Sequence, residues 1–69
     1  MISYRPLWKT MKRKSATTYT LRNKGKPYNV SGSTIKQIQE CKPISTNSID
    51  TICKILDCDI LDIIEYIPD

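Results

Sequence analysis

Residues 30–38 read Val-Ser-Gly-Ser-Thr-Ile-Lys-Gln-Ile, a pattern typical of a helix that begins just after a capping serine. The Ser31 hydroxyl can accept a hydrogen bond from a free backbone N–H of the first turn. Val30 precedes the cap and Ile35 follows it by four residues, so the two side chains can staple the incoming chain against that turn. The stretch therefore predicts a helix start at residue 32.

The predicted helix is amphipathic. Ile35 and Ile38 lie one turn apart and form an inner side, while the other side carries small polar groups and Lys36. No acidic residue occurs in this stretch before Glu40. A helix over 32–40 with such a face can enter the groove of a polyanion such as DNA.

The same combination of cap and apolar pair recurs every fourteen residues, which predicts four helix starts. The caps and their flanking pairs are Thr17 with Ala16 and Leu21, Ser31 with Val30 and Ile35, Ser45 with Ile44 and Ile49, and Asp59 with Cys58 and Ile63. Pro6 suits the first turn of a further helix at the beginning of the chain. The sequence thus predicts five helices, near 6–14, 18–24, 32–40, 46–56 and 60–66.

Apolar spacing supports an all-α, compact five-helix domain over 1–69. In the first helix Leu7, Trp8 and Met11 form one apolar stripe that we expect in the core, and the outer face is basic. No window alternates cleanly between apolar and polar residues, so strands are not predicted. The isoleucines after Asp59 favour strands by propensity, but their helical spacing outweighs that preference.

Charge is divided unevenly along the chain. Residues 1–42 hold ten of the eleven Lys and Arg with Glu40 as their one acid, whereas residues 43–69 hold Lys54 against six acids. The two parts therefore carry +9 and −5, a polarity that orients a molecule in the field of a polyanion. A solvated basic face without a partner is the alternative interpretation.

Composition argues against an enzyme, a metal protein or a membrane protein. The chain has 69 residues, which leaves no room for a deep catalytic cleft, and it contains no histidine. Its three cysteines do not follow the spacing of zinc sites; we expect Cys53 and Cys58 to be small buried apolar residues and Cys41 to be an exposed thiol. No signal or transmembrane segment is recognisable. We therefore expect a cytoplasmic protein without a cofactor or small-molecule substrate.

The chain resembles the small XRE-type regulators related to phage Cro and the lambda repressor, and the resemblance covers almost its whole length. Its most specific parts are Ser-x-Ser-Thr-Ile at 31–35 and Ile-Cys-Lys-x-Leu-x-Cys-Asp-x-x-Asp-Ile-Ile-Glu-Tyr-Ile-Pro at 52–68. The resemblance implies a helix-turn-helix domain, with the third helix in the major groove of DNA and the start of the second against the phosphates.

Carried over by position, the resemblance implies two groups of DNA contacts. Residues that face the bases are Gly32, Ser33, Thr34 and Gln37, with Gln37 suited to an adenine edge and the Thr34 methyl to a thymine methyl. Residues that contact the phosphate backbone are Thr18, Tyr19, Lys36 and Lys42. Ser33 and Thr34 are equally common as plain first-turn residues, and Lys36 and Gln37 as solvated surface.

The sequence departs from the family at the turn before the third helix. Gly25-Lys26-Pro27 is a surplus there, and it can bring Lys24 and Lys26 to the DNA backbone. Arg22 stands where the family often has an alanine packed against the third helix. A longer turn can also change the angle between the second and third helices.

These features lead to a sequence-specific double-stranded DNA-binding transcriptional regulator, a repressor in the simplest case, and not an enzyme. We expect a homodimer, with Leu61, Ile64 and Tyr66 as dimer contacts, although the same residues can instead complete the monomer core. The alternative function is an antitoxin-like or adaptor module that binds a protein partner, with DNA binding secondary or lost. Trp8 and the four scattered tyrosines offer weaker support for single-strand stacking.

Overall fold

The computed structural model describes residues 1–24 and 29–68, apart from the side chain of Lys24. Its elements in chain order are strand β1 (Ile2–Ser3), helix α1 (Arg5–Arg13), a π-helical segment (Thr20–Lys24), α2 (Gly32–Gln39), α3 (Thr46–Leu56), a 3-10 helix (Ile60–Asp62) and strand β2 (Glu65–Tyr66). Residues 18 and 19 add a first helical turn before the π-helical segment. The protein is thus mostly helical.

All four predicted caps are confirmed. The Ser31 side chain accepts from Thr34 N at 3.2 Å, and Ser45 accepts from Ser48 N at 3.2 Å. The Thr17 and Asp59 side chains accept from Thr20 N at 3.4 Å and Ile60 N at 2.6 Å. The eight stapling side chains all belong to the hydrophobic core or pack against it. Local cap chemistry therefore fixes where each of these segments begins.

The core lies between the helices and is centred on five fully buried side chains: Leu7, Leu21, Ile38, Ile52 and Ile63. The prediction that Trp8 belongs to it is wrong, because the Trp8 side chain is 38% exposed. The inward stripe of α1 takes Thr10 in its place, at 2% exposure. Thr10 is buried there with its hydroxyl satisfied by the carbonyl of Asp62.

The predicted fifth helix over 60–66 is wrong. After one 3-10 turn the chain becomes extended, and β2 pairs antiparallel with β1, with Ile2 opposite Tyr66. In a continued helix the carbonyls of Asp62 and Ile63 would accept N–H groups four residues later. They instead accept from Thr10 Oγ1 at 2.7 Å and Leu7 N at 3.2 Å. Bonds from α1 thus replace the bonds that would prolong the helix.

The two-stranded ladder was not anticipated from the sequence, and it joins the two ends of the chain. Beyond the paired residues, Ile67 N donates to the Met1 carbonyl at 2.8 Å. Arg5 Nε donates to Glu65 Oε2 at 2.9 Å, and this hydrogen bond holds the pKa of Glu65 below its usual value. Residues 1–3 and 65–67 are consequently held together at the start of α1.

Each of the three α-helices ends through a residue in the left-handed conformation that is not glycine. Ser15, Cys41 and Asp57 have φ of 55°, 59° and 50°. The N–H of the residue after each one reaches back five positions, as in Lys42 N to Gln37 O at 2.8 Å. These are Schellman-type ends, which glycine usually forms because it avoids the Cβ penalty.

Candidate nucleic-acid interface

Helix α2 presents one buried and one bare side, and this geometry defines the candidate interface. Ile35 and Ile38 are 6% and 1% exposed and anchor the helix in the core. Ser33, Lys36 and Gln37 are exposed on the other side. Tertiary bonds hold both ends: Val30 N donates to the Leu21 carbonyl at 2.9 Å, and the Tyr4 hydroxyl to the Lys42 carbonyl at 2.7 Å.

Hydroxyl groups at the start of α2 form a small hydrogen-bonded cluster. Ser31 Oγ donates to Thr34 Oγ1 at 2.9 Å and lies 3.1 Å from Ser33 Oγ. Because Ser31 has a single hydroxyl hydrogen, Ser33 is the donor in the second bond. The exposed Ser33 hydroxyl can accept a hydrogen bond from a base-edge amino group such as adenine N6 or cytosine N4. Thr34 is half-buried beside it.

Gln37 and Lys36 occupy different sectors of the exposed side. Gln37 follows Ser33 by four residues, so the two side chains share one line along the helix, whereas Lys36 follows Gly32 in the same way. No hydrogen bond or ion pair joins either side chain to another residue in the described ranges 1–24 and 29–68. The structure therefore places the candidate base-facing residues Ser33 and Gln37 on one line of the helix, with Gly32 on the neighbouring line of Lys36.

The candidates for the phosphate backbone are more dispersed. Tyr19 is 61% exposed and Thr18 is half-buried, both beside the start of the π-helical segment. Lys42 follows α2 and pairs with Glu40, Nζ to Oε1 at 3.3 Å, so part of its charge is already balanced. The Lys24 side chain, Lys26 and the surplus turn lie outside the described residues.

Arg22 is a neighbour of α2 that the sequence reasoning did not assign to the interface. A Cβ built on Gly32 would lie 3.7 Å from Arg22 Cζ, 3.7 Å from Nη2 and 3.8 Å from Nε. The guanidinium thus packs on the first residue of α2. The available signal was the departure at this position, where an alanine side chain would not reach so far.

A polar cleft of about 200 Å³ lies beside the starts of α2 and α3, and Thr34 is the one residue of its lining that the sequence predicts as a DNA contact. It is lined by Asn29, Val30, Ser31, Thr34, Asn47, Ser48 and Thr51. The hydroxyl and amide groups of such a cleft are of the type that contacts phosphate oxygens. The two regularly spaced serine caps were the sequence signal that these two helix starts are built alike.

The candidate dimer contacts do not share one helix: Leu61 lies in the 3-10 helix, Ile64 follows that helix, and Tyr66 lies in β2. Leu61 and Tyr66 are 77% and 68% exposed, whereas Ile64 is half-buried. Ile64 lines an apolar groove of about 330 Å³, whose other walls are Met1, Ile2, Tyr4, Cys41, Lys42, Pro43, Ile44 and Ile49. Apolar surface therefore continues from the groove onto β2, where Tyr66 pairs with Ile2.

Two of the cysteines are close to each other and away from the α2 surface. Cys53 and Cys58 flank the left-handed Asp57, with Cys58 N donating to the Cys53 carbonyl at 3.2 Å. Both thiols are half-buried, and burial raises the pKa of Cys58 to about 11. Cys41 is exposed, as predicted. Within residues 1–24 and 29–68 no cluster of three or more potential metal ligands occurs, and no helix is long and apolar enough to span a membrane.

A helix anchored by isoleucines and preceded by a second helical segment, with a bare polar face, defines a helix-turn-helix protein. The chain belongs to the Cro/C1-type HTH DNA-binding domain family, whose profile matches residues 5–69. The predicted resemblance is therefore confirmed. Its fold is similar to the crystal structure of the transcriptional regulator VanUg, at 32% identity and a TM-score of 0.83, over 99% of this chain and 87% of that one. No curated protein matches the sequence significantly.

Proposed function

We propose that this protein is a sequence-specific regulator of transcription that reads double-stranded DNA with α2 in the major groove. The observation that carries the proposal is the side-chain division of α2, with Ile35 and Ile38 buried and Ser33, Lys36 and Gln37 exposed. Membership of a DNA-binding family and similarity to a transcriptional regulator support it.

Base reading would fall to the edge formed by Gly32, Ser33 and Gln37, with Thr34 beside it. The Gln37 amide both donates and accepts, as an adenine edge requires. Ser33 contributes an acceptor next to it. Together these groups can distinguish base pairs, which phosphate contacts cannot.

Phosphate contacts would fix the register of α2 on the duplex. We assign this role to Lys36, Thr18, Tyr19 and Lys42, with Lys24 and Lys26 as further candidates. The excess of cations before residue 43 would steer the protein onto DNA and make its affinity depend on salt. An acid-free exposed face on α2 avoids repulsion at the point of contact.

A repressor acting as a homodimer is the form of this function that we favour. Leu61 and Tyr66 expose apolar surface, Tyr66 pairs with Ile2 of the groove that Ile64 also lines, and a dimer would cover this surface. Two copies related by a two-fold axis would place two α2 helices on a symmetric site. A dimer bound at a promoter would then exclude the transcription machinery.

A protein-interaction module is the second candidate function, and the same apolar groove favours it. In that case the groove and the acidic end of the chain would bind a protein partner, and α2 would contact DNA weakly. The two functions differ in a measurable quantity, the affinity for duplex DNA and its dependence on salt.

The deciding experiment combines a selection of bound fragments from a random duplex pool with a salt series. A regulator should enrich a defined motif, palindromic for a dimer, and its log affinity should fall steeply with log salt as several phosphate contacts are lost. Enrichment of no motif, together with binding to random duplex that is negligible even at low salt, would favour the interaction module and refute the proposal.

A further inference from the structure

The guanidinium of Arg22 lies beside the start of α2. The Cβ position of Gly32 is nearly equidistant from three bonded guanidinium atoms, 3.7 Å from Cζ and Nη2 and 3.8 Å from Nε. A point that far from all three atoms of a planar group must lie over the face of the group, since no such point exists in its plane. The face of the guanidinium is therefore turned towards the position that a side chain at residue 32 would occupy.

Because Gly32 lies towards one flat side of the Arg22 guanidinium, the edge of the group stays open. The N–H donors of arginine lie in the plane of the group and form a rigid fork. Arg22 is exposed, and no other residue in ranges 1–24 and 29–68 shares a hydrogen bond or ion pair with its side chain. Such a cation has a fixed orientation and no counter-charge among the described residues. It therefore suits a ligand that offers two hydrogen-bond acceptors side by side.

Position determines which ligand that is. Gly32 is the first residue of α2, and the exposed Ser33 is the next. If the N-terminus of α2 enters the major groove, the Arg22 guanidinium enters the groove with it. The paired acceptors found there are O6 and N7 of guanine, which bind arginine in a bidentate manner.

We infer that Arg22 is a specificity-determining residue that donates two in-plane hydrogen bonds to a guanine edge. The inference rests on the proposed function and adds one base to the reading edge of Gly32, Ser33 and Gln37. A lysine in place of Arg22 would keep the charge but lose the fork.

The test compares motifs selected from a random duplex pool by the wild-type protein, Arg22→Lys, Arg22→Ala and the control Arg5→Ala. The control removes the same charge from a guanidinium already paired with Glu65 at 2.9 Å. In both Arg22 variants we expect one G·C position of the motif to lose its preference, roughly 5- to 150-fold in relative affinity. All other positions, and the whole motif of Arg5→Ala, should remain.

The outcomes separate this inference from the proposed function. A motif that stays intact in Arg22→Lys while Arg22→Ala weakens all sequences equally would identify a phosphate contact and overturn the inference alone. A wild-type protein that enriches no motif would overturn the proposed function and this inference with it. Thermal unfolding of each variant verifies folding, and the lysine variant carries the test if the alanine variant unfolds.

Discussion

The hydroxyl of Thr10 donates a 2.7 Å hydrogen bond to the backbone carbonyl of Asp62, across 52 positions of the chain. Thr10 is only 2% exposed, so this bond lies where water cannot easily replace it. It occupies the carbonyl that a helix continuing beyond Asp62 would need for its next bond. The contact therefore both packs α1 against the chain end and stops the last helix after one turn.

Replacing Thr10 by valine should destabilise the protein by about 1–2 kcal/mol, because the shape is kept while a shielded carbonyl loses its donor. Urea unfolding followed by circular dichroism measures the change. Thr51→Val is the matched control, since Thr51 Oγ1 donates only to the Asn47 carbonyl within its own helix at 3.0 Å. Equal losses in the free energy of unfolding for the two substitutions would show that the Thr10 bond contributes no more than a bond within one helix.

The limits of sequence prediction follow from how far apart the bonding partners lie. Ser31 and Ser45 cap N–H groups three residues away, so the sequence predicts α2 and α3 almost to the residue. The prediction of the last helix is wrong because the point at which that helix ends depends on bonds from Thr10 and Leu7, more than fifty residues earlier. Spacing within the segment contains no sign of those bonds.

The left-handed helix ends predict a gain in stability. Ser15→Gly and Cys41→Gly should each stabilise the protein by about 1 kcal/mol, because glycine accepts φ near 55–59° without the Cβ penalty. Asp57→Gly should gain less, since aspartate tolerates this conformation better. Thermal or urea unfolding measures all three. Thr51→Gly, within α3, should lose about 0.5–1 kcal/mol, and a gain there would contradict the explanation.

The interface could be predicted only in part, for the same reason as the fold. The bare face of α2 follows from the spacing of Ile35 and Ile38, so Ser33 and Gln37 were recognisable in advance. The approach of the Arg22 guanidinium to Gly32 could not be predicted from the sequence, because it joins two segments across a turn. The polar cleft shared by the starts of α2 and α3 is likewise a tertiary feature.

Gln37→Ala should separate base reading from general DNA affinity. If the Gln37 amide contacts an adenine edge, its loss should cost about 1–3 kcal/mol on the selected site and almost nothing on random duplex. Lys36→Ala, one residue away, should weaken both DNAs together and make the salt dependence shallower. Fluorescence anisotropy with the two duplexes measures these affinities, and equal losses for Gln37→Ala would remove it from the reading edge.

The cysteines should differ in reactivity. Burial raises the pKa of Cys58 to about 11, so at pH 8 only ~0.1% of this thiol is the reactive thiolate. Cys41 is exposed and should be alkylated first by iodoacetamide, as mass spectrometry of the labelled peptides can follow. Labelling of Cys58 should accelerate as pH rises towards 11. Because a raised pKa favours the protonated folded state, stability from this thiol should be complete below pH 9 and fall between pH 9 and 11.

Leu61 offers the sharpest test of the proposed dimer. Its side chain is 77% exposed on the 3-10 helix, so Leu61→Lys should leave the monomer fold within about 0.5 kcal/mol of wild type. The buried charge would however weaken a dimer formed through Leu61 and Tyr66, and sedimentation velocity over a concentration series should show a shift to monomer. Trp8→Gln, which removes exposed apolar surface on α1, should not alter association. If Leu61→Lys associates as wild type does, the dimer is formed by another surface.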